Sequence, residues 1–238
     1  MTILNDTVLE SNKYLKLNFD GGDLSSDAGL LLIKEFACKL GFVNILKKEF
    51  KTNDCASFRF HKDDENLWQV IYQILGAYFE DDCADELTND PILTAVLTKN
   101  ALASQPTLSR FFKRLDDTTL NQFYDLMRRF RKVVYSIKKP EMILLDLDST
   151  LLNTYGHQEG EGFNFHYQDH GYHPLVCYDG ITGDLLKIQL RNGTDYSSTG
   201  VMDFLQPLLD EFGNDYPDIP LLLRGRQWIY QAGTISSV

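Results

Sequence analysis

Two aspartates two positions apart are the residues in this sequence best placed to do chemistry. Asp146 and Asp148 follow the apolar run Met142–Leu145 and precede Ser149. Because the run shows no polar alternation, it predicts a strand buried on both faces in the middle of a sheet. Residues two apart on a strand point to the same face, so we expect both carboxylates on one side and Leu147 on the other.

Acids at the end of such a strand allow three interpretations. They hold Mg²⁺ for phosphoryl transfer, which is a common role for acids at this position, or they are solvated acids that stop the strand. In the third interpretation, Asp146–Thr150 resembles the Asp-x-Asp-x-Thr motif of haloacid-dehalogenase-like phosphatases, which makes Asp146 the nucleophile and Asp148 the acid. That fold places helices between parallel strands, whereas hairpin-like connections join the strands predicted downstream.

The charge of the chain is distributed unevenly. The net charge is −11 over 238 residues, which by itself disfavours a nucleic-acid partner. Residues 99–139, however, contain ten Lys and Arg against three Asp, a local charge of +7 that leaves −18 for the rest. A basic segment can meet phosphate while acids elsewhere hold metal, so this distribution is compatible with DNA binding.

Several classes of protein are disfavoured by what the sequence lacks. No apolar run approaches the roughly 20 residues of a membrane helix, and the N-terminus shows no secretory signal pattern. The four cysteines include no Cys-x-x-Cys pair, which argues against a structural zinc site and a disulfide framework. We therefore expect a cytoplasmic protein with reduced thiols and no membrane partner.

The first 139 residues are predicted to be mainly helical. Apolar residues recur at helical spacing, and Gly41 and Pro140 stand where helices are expected to stop. The acidic stretch 80–86 would suit a metal, but a solvated helix face is the better explanation. The predicted elements are a strand at 14–19 and helices at about 26–40, 64–79, 91–97, 105–115 and 118–135.

Two short helices in this region, at 91–97 and from the predicted N-cap Ser104 onward, resemble a helix-turn-helix motif. Pattern alone favours an ordinary helical hairpin, and the basic residues of the following helix are either a solvated face or a phosphate-contacting surface. If the region binds DNA, the side chains expected to contact it are Gln105, Thr107, Ser109, Arg110, Lys113, Arg114, Arg128, Arg129, Arg131 and Lys132.

After Pro140 the periodicity changes from helix to strand. Residues 157–171 show no clear period, and the other predicted elements are strands at 142–147, 173–178, 185–191 and 221–223 and a helix from Ser197 or Ser198 to Phe212. This order begins a ribonuclease-H-like mixed sheet, in which the first and fourth strands lie side by side and parallel. We therefore predict an α/β protein in which a helical DNA-binding region, residues 1–139, precedes the first part of a ribonuclease-H-like domain, residues 140–225.

Five blocks in their order and spacing make the chain resemble a DDE-type transposase of bacterial insertion sequences. The resemblance implies a cytoplasmic bacterial protein that acts on terminal inverted repeats and target DNA and allows a homodimer. It also implies three acids that hold two Mg²⁺ (or Mn²⁺) ions, which activate the nucleophile and stabilise the leaving oxygen. The blocks are SSDAGLLLIKEF, QILGAYFEDDCADELTNDP, ASQPTLSRF, LDLDSTLLNTYGHQEG and YHPLVCYDGITGDLLKIQLRNGTDYSSTG.

The resemblance also assigns roles to the acids. Asp148 corresponds to the first acid and is the expected metal ligand, whereas Asp146 is the weaker catalytic candidate. The second acid belongs in an Arg-(Gly/Ala)-Asp-Ser-Gly-Phe motif, where this chain has Arg226, and the third, a Glu, would lie beyond Val238. We therefore expect a truncated chain that is inactive as a transposase, or, as an alternative, a DNA-binding repressor of transposition.

The segment 226–238 is expected to be an out-of-frame tail. Arg226–Tyr230 can be spelled CGA CAG TGG ATT TAY, and without its first base this DNA reads Asp-Ser-Gly-Phe. The sequence therefore predicts a frameshift at codon 226, and the alternative is an unrelated tail that happens to allow the spelling.

Overall fold

The computed structural model describes residues 7–22, 24–56 and 58–225. The chain divides into two compact units, with the boundary between Val134 and Tyr135. Within the described residues, no helix is both long and apolar enough to cross a bilayer. All four cysteines, in both units, are free thiols.

The first unit is built mainly from helices. Its two short strands, β1 and β2, pair in antiparallel fashion. The elements are β1 Thr7–Val8, β2 Lys16–Leu17, α1 Gly29–Lys39, α2 Phe42–Glu49, α3 Asp63–Leu75, α4 Cys83–Glu86, a 3₁₀ turn Leu87–Asn89, α5 Pro91–Leu97, α6 Gln105–Phe112 and α7 Asp117–Ile137.

Local sequence explains where several of these helices begin and end. Gly41 has a φ of +74°, which glycine adopts without strain, and α1 ends before it as predicted. Asp90 caps α5, because its Oδ1 accepts the N–H groups of Ile92 and Leu93 at 2.9 and 2.8 Å. Ser104 is the N-cap residue of α6, although its hydroxyl makes no capping hydrogen bond to the helix backbone.

Aromatic packing and two buried hydrogen bonds hold α6 in place in the first unit. Phe111 is fully buried and packs edge-on against Phe50, with ring centroids 6.1 Å apart. On the chain just before α6, the buried side chain of Gln69 both donates to and accepts from the backbone of Ala103, each at 2.8 Å. The position of α6 is therefore fixed by packing and by a pair of buried hydrogen bonds.

The second unit contains a four-stranded sheet in the order β8-β7-β3-β9. Its strands are β3 Ile143–Ser149, β7 Leu175–Asp179, β8 Leu185–Gln189 and β9 Leu221–Gly225. Strands β3 and β9 are parallel, whereas the β3–β7 and β7–β8 pairs are antiparallel. The predicted parallel pairing of the first and fourth strands is therefore confirmed.

Helix α8, Val201–Asp215, packs its buried side chains into the same core as β3. Burial along β3 alternates: Ile143, Leu145 and Leu147 are buried, while the residues between them are half-buried. The prediction of a strand buried on both faces is therefore wrong. The run Ile-Leu-Leu-Asp-Leu-Asp has apolar residues at both odd and even positions, so its sequence did not reveal which face of the strand the core would cover.

A second, three-stranded sheet in the order β4-β6-β5 was not predicted. Its strands, β4 Leu152–Asn153, β5 Gly162–Asn164 and β6 Asp169–Tyr172, have two to four residues, too few to show a period. Gly171 is required here, because a Cβ at this position would lie 2.3 Å from the carbonyl oxygen of Leu152.

Candidate functional site

Strand β3 presents Asp146 and Asp148 on the face opposite the α8 core, as their spacing predicted. Both residues are half-buried, and Leu147 between them belongs to the core. In the sheet, Asp146 lies between Tyr178 of β7 and Arg224 of β9. The two carboxylates therefore share a face, but their partners differ.

Asp146 is held by a two-pronged ion pair. Arg224 donates from Nε to Oδ1 at 3.0 Å and from Nη2 to Oδ2 at 2.5 Å. These hydrogen bonds to Arg224 lower the pKa of Asp146 below its ordinary value, and the carboxylate in turn raises the pKa of Arg224. Both carboxylate oxygens of Asp146 are thus already engaged by a cation from the protein.

The chain immediately after Asp148 is fixed by residues from two distant segments. Asp148 Oδ1 accepts the N–H of Ser149 at 2.8 Å. Tyr167 donates its hydroxyl to the Ser149 carbonyl at 3.1 Å, and the Ser149 hydroxyl meets that of Ser197 at 3.2 Å. The turn that follows Asp148 is therefore tied to the segments before β6 and before α8.

Tyr167 was not predicted as a site residue, and the predicted role of Ser197 as a helix cap is wrong. Tyr167 lies in the stretch without a period, where no pattern singled it out. Ser197 and Ser198 were predicted helix caps, but α8 is capped by Gly200 with a φ of +68°. The Ser197 hydroxyl is used instead at the end of β3, and long-range contacts of this kind leave no local trace in a sequence.

A buried arginine holds the segment that carries Ser197. Arg191 donates Nε to the His173 carbonyl at 2.9 Å and Nη1 to the carbonyls of Tyr196 and Thr199 at 3.0 and 2.6 Å. Burial lowers the pKa of Arg191. His173 is buried beside it, and its Nδ1 donates to the Asp195 carbonyl at 2.7 Å. These bonds order the segment 191–199 next to the carboxyl end of β3.

The described residues do not by themselves form a divalent-metal site. Among them, no group of three or more His, Cys, Asp or Glu side chains is arranged to hold an ion. The described pairing of β3 with β9 ends at Leu147 and Gly225. The next residue, Arg226, where the resemblance expects the second acid, lies outside the described residues.

The residues predicted to contact DNA from α6 are divided between its two sides. Gln105, Ser109 and Lys113 line a groove of about 530 Å³, beside apolar side chains such as that of Phe79. Thr107 and Arg110, together with Arg114 just after the helix, line a separate cavity of about 270 Å³. The predicted set is thus not one continuous surface.

The α6 region also departs from a helix-turn-helix. Seven residues, 98–104, separate α5 from α6, whereas that motif has a turn of three or four. Arg114 is engaged within the protein, since it pairs with Asp63 through Nη2 and Oδ1 at 2.8 Å and donates to the Arg110 carbonyl at 3.0 Å. Arg110 and Lys113 are exposed.

The four basic residues of α7 also lie in different environments. Arg131 is buried and Arg128 is half-buried. Arg129 and Lys132 are exposed, and Arg129 Nη2 lies 3.6 Å from Glu49 Oε1. Arg129 and Lys132 are therefore the two residues of this set best placed to reach a phosphate.

Comparison with known proteins identifies a matching protein family. A family model described as "Transposase DDE domain group 1" matches residues 8–230, which include nearly all of the first unit and the whole four-stranded sheet of the second. No curated protein and no solved structure matches the chain.

Proposed function

This chain belongs to the transposase DDE-domain family, and from that premise we propose that it acts on the terminal inverted repeats of a bacterial insertion sequence. In this proposal the second unit is the first part of a ribonuclease-H-like catalytic domain. The strand order β8-β7-β3-β9 supports that assignment, because the inner strand β3 pairs in parallel with the edge strand β9.

The observation that carries the proposal is the position of Asp148. It stands at the carboxyl end of β3, on the face away from the core, and its backbone is fixed by Tyr167 through Ser149. Asp146 shares this face but is neutralised by Arg224. We assign the metal-ligand role to Asp148, the acid directly before Ser149 at the end of the strand, in a Mg²⁺ or Mn²⁺ site that further ligands would complete.

DNA binding is assigned to the basic segment 99–139 of the sequence. Of the predicted residues, Arg110, Lys113, Arg129 and Lys132 are exposed, as phosphate contacts require. Such contacts are largely independent of sequence and weaken steeply as salt rises. The other six predicted residues are half-buried or buried, and their contact with DNA remains a prediction.

The alternative function is a repressor that binds the element's ends without cutting them. The Arg224–Asp146 pair favours it, because both oxygens of Asp146 are bound by an arginine and this carboxylate is then not available to a metal ion. A phosphatase is disfavoured for two reasons. Its nucleophile would be Asp146, which is bound by an arginine. Its fold has parallel strands, whereas here β7 is antiparallel to β3, and β8 is antiparallel to β7.

Two assays on the purified chain test these assignments. In a gel shift, duplex DNA carrying the element's terminal repeat should be bound more tightly than unrelated duplex of equal length. In a Mg²⁺-dependent nicking assay, cleavage that is lost in Asp148→Asn identifies an active transposase, and binding without cleavage fits a repressor or the inactive truncated transposase expected from the sequence. Absence of binding in the gel shift contradicts both. A phosphoester hydrolysis lost in Asp146→Asn would instead restore the phosphatase alternative.

A further inference from the structure

The 270 Å³ cavity beside α6 combines exposed aromatic rings with guanidinium groups. We call it the aromatic-basic pocket and define it by Phe58, Arg59, Phe60, Asn66, Thr107 and Arg110. It is smaller than the roughly 300–1,000 Å³ of pockets that hold drug-sized ligands. Its size therefore suits a single flat ring better than a larger molecule.

Two phenylalanines with one residue between them form the apolar wall of the pocket. Phe58 is 80% exposed and Phe60 is 67% exposed, although residues of this type are usually buried. Phe60 is oriented by two neighbours: the ring of His61 lies edge-on at 4.8 Å, and Lys99 Nζ stands 5.5 Å above its centre. Phe60 is thus held in a defined orientation, and both rings are largely exposed to solvent.

The pocket is positively charged, and the guanidinium groups of Arg59 and Arg110 have different partners. Arg59 is hydrogen-bonded to Asp54, which consumes much of its charge. Arg110 is exposed, and its Nη2 donates to the Thr107 hydroxyl at 3.3 Å. Among the described residues no carboxylate lies within ion-pair distance of Arg110, so its guanidinium is available for an anion at the rim.

A buried acceptor at the pocket lacks a donor. Asn66 is only 1% exposed, and its Oδ1 has no hydrogen-bond partner among the described residues. Its amide Nδ2 lies 3.5 Å from the His61 carbonyl, at the limit of a hydrogen bond. Leaving a buried carbonyl oxygen without a donor costs free energy, so a ligand N–H at this position would be favoured.

We propose that the aromatic-basic pocket binds an unstacked DNA base, with its ring on Phe58 and Phe60 and a phosphate of the same strand on Arg110. An N–H of the base would donate to Asn66 Oδ1. Aromatic side chains bind bases by stacking in a way that tolerates any sequence, and an arginine next to them binds the backbone. A base inside a duplex hides its faces, so the ligand is single-stranded or locally opened DNA. This inference rests on the proposed function for its choice of DNA.

Fluorescence anisotropy with three labelled 12-mers tests the proposal on the full chain. The probes are single-stranded dT₁₂, a duplex of the same length, and a strand of abasic spacers that keeps the phosphates without the bases. In the double variant Phe58→Ala/Phe60→Ala we expect about tenfold weaker binding of dT₁₂, from a stacking loss within the usual range per base. Binding of the duplex and of the abasic strand should change less than twofold.

Matched variants separate stacking from other effects. Phe19→Ala removes a phenylalanine that is 69% exposed and lines neither the aromatic-basic pocket nor the groove on the other side of α6, and it should leave all three affinities unchanged. Phe58→Tyr/Phe60→Tyr should retain dT₁₂ binding, since tyrosine also stacks. Arg110→Ala should weaken dT₁₂ and the abasic strand alike. Because these side chains are exposed, circular dichroism should show each variant folded as the parent.

Three results would overturn the proposal. The first is unchanged dT₁₂ affinity in the double alanine variant, and the second is an equal loss on the abasic strand. Either result with intact binding of terminal-repeat duplex leaves the proposed function standing. The third is failure of the parent chain to bind any of the probes or the terminal-repeat duplex, which removes the proposed function together with the pocket.

Discussion

At the scale of single residues, the environment gives two aspartates of the same strand different hydrogen-bond partners. Asp146 and Asp148 lie on one face, and the sequence ranked Asp148 first through the family motif. The structure supplies an independent physical reason, because Arg224 binds both oxygens of Asp146. Arg224 comes from a strand 78 positions away, so no local pattern could have connected it with Asp146.

The ion pair predicts a pH-dependent stability. The pKa of Asp146 is lowered in the folded protein, so the pair's contribution is complete above the unfolded pKa of about 3.9 and is lost as pH falls through the lower folded pKa. Arg224→Gln should therefore lower the Tm at pH 7, and the difference from the parent should shrink below about pH 4. Both partners are partly exposed, so we expect a small effect.

Thermal melts at pH 7 and in the acid range measure this difference, and an NMR titration of the Asp146 carboxyl carbon tests its origin. In Arg224→Gln the carboxyl should titrate closer to its ordinary pKa. Arg224→Lys is the matched control, because it keeps the charge but cannot make the two-pronged contact. A Tm difference that stays constant at all pH values would show that the stabilisation comes from packing and not from charge.

At the scale of elements, strongly patterned segments could be predicted and short ones could not. The helix at 91–97 was predicted with its observed bounds, since Asp90 and Pro91 mark its start. The helix predicted at 118–135 is α7, Asp117–Ile137. The hairpin between β7 and β8 closes through Gly183, whose N–H donates to the Asp179 carbonyl at 2.7 Å.

The elements that were missed share one physical cause. Helix α2, Phe42–Glu49, has eight residues with Leu46 buried, and the strands β5 and β6 have three and four residues. Elements this short are stabilised by contacts with the rest of the fold more than by their own periodicity. The helix predicted at 64–79 ends earlier, at Leu75, because residues after Gly76 leave the helical conformation and Ala77 adopts a φ of +65°.

Helix α7 carries a prediction that separates DNA contact from stability. Arg129→Ala/Lys132→Ala removes two exposed cations, so binding of any duplex should weaken, and the slope of log K against log salt should fall by nearly one for each lost phosphate contact. Arg131→Ala removes a buried side chain instead and should mainly lower the free energy of unfolding, by about 1–3 kcal/mol.

Anisotropy at a series of salt concentrations and urea denaturation measure the two effects separately. Lys47→Ala/Lys48→Ala provides a control, since it removes two cations from α2, outside the basic segment 99–139. Equal weakening in this control would mean that binding responds to total charge. An unchanged salt slope in Arg129→Ala/Lys132→Ala would remove α7 from the DNA-binding surface.

At the scale of the whole molecule, the residues proposed to bind DNA and the acid proposed to bind metal lie in different units. The first unit carries the exposed cations and the aromatic-basic pocket, and the second carries Asp148 and the sheet that positions it. The family match at residues 8–230 includes parts of both. The net charge of −11 conceals this division, because a basic segment of +7 is outweighed by acids elsewhere. The net charge alone would have disfavoured a nucleic-acid partner.

The sequence also predicts a frameshift in the gene at codon 226. The described pairing of β3 with β9 ends at Leu147 and Gly225, and the residues that follow these two in the sequence are Asp148 and Arg226. The family resemblance expects an aspartate at the position of Arg226, and a one-base shift in an allowed spelling of these codons yields Asp-Ser-Gly-Phe. We therefore expect the next reading frame at codon 226 to encode that motif and to continue open into a segment that supplies a Glu.

Sequencing the gene tests this directly, and a next frame without Asp-Ser-Gly would exclude the frameshift. If the motif is present, deleting one base should yield a chain with Mg²⁺-dependent nicking of terminal-repeat DNA. Asp148→Asn should abolish that activity because it removes a carboxylate that two bound ions require, whereas Asp146→Asn should reduce it less.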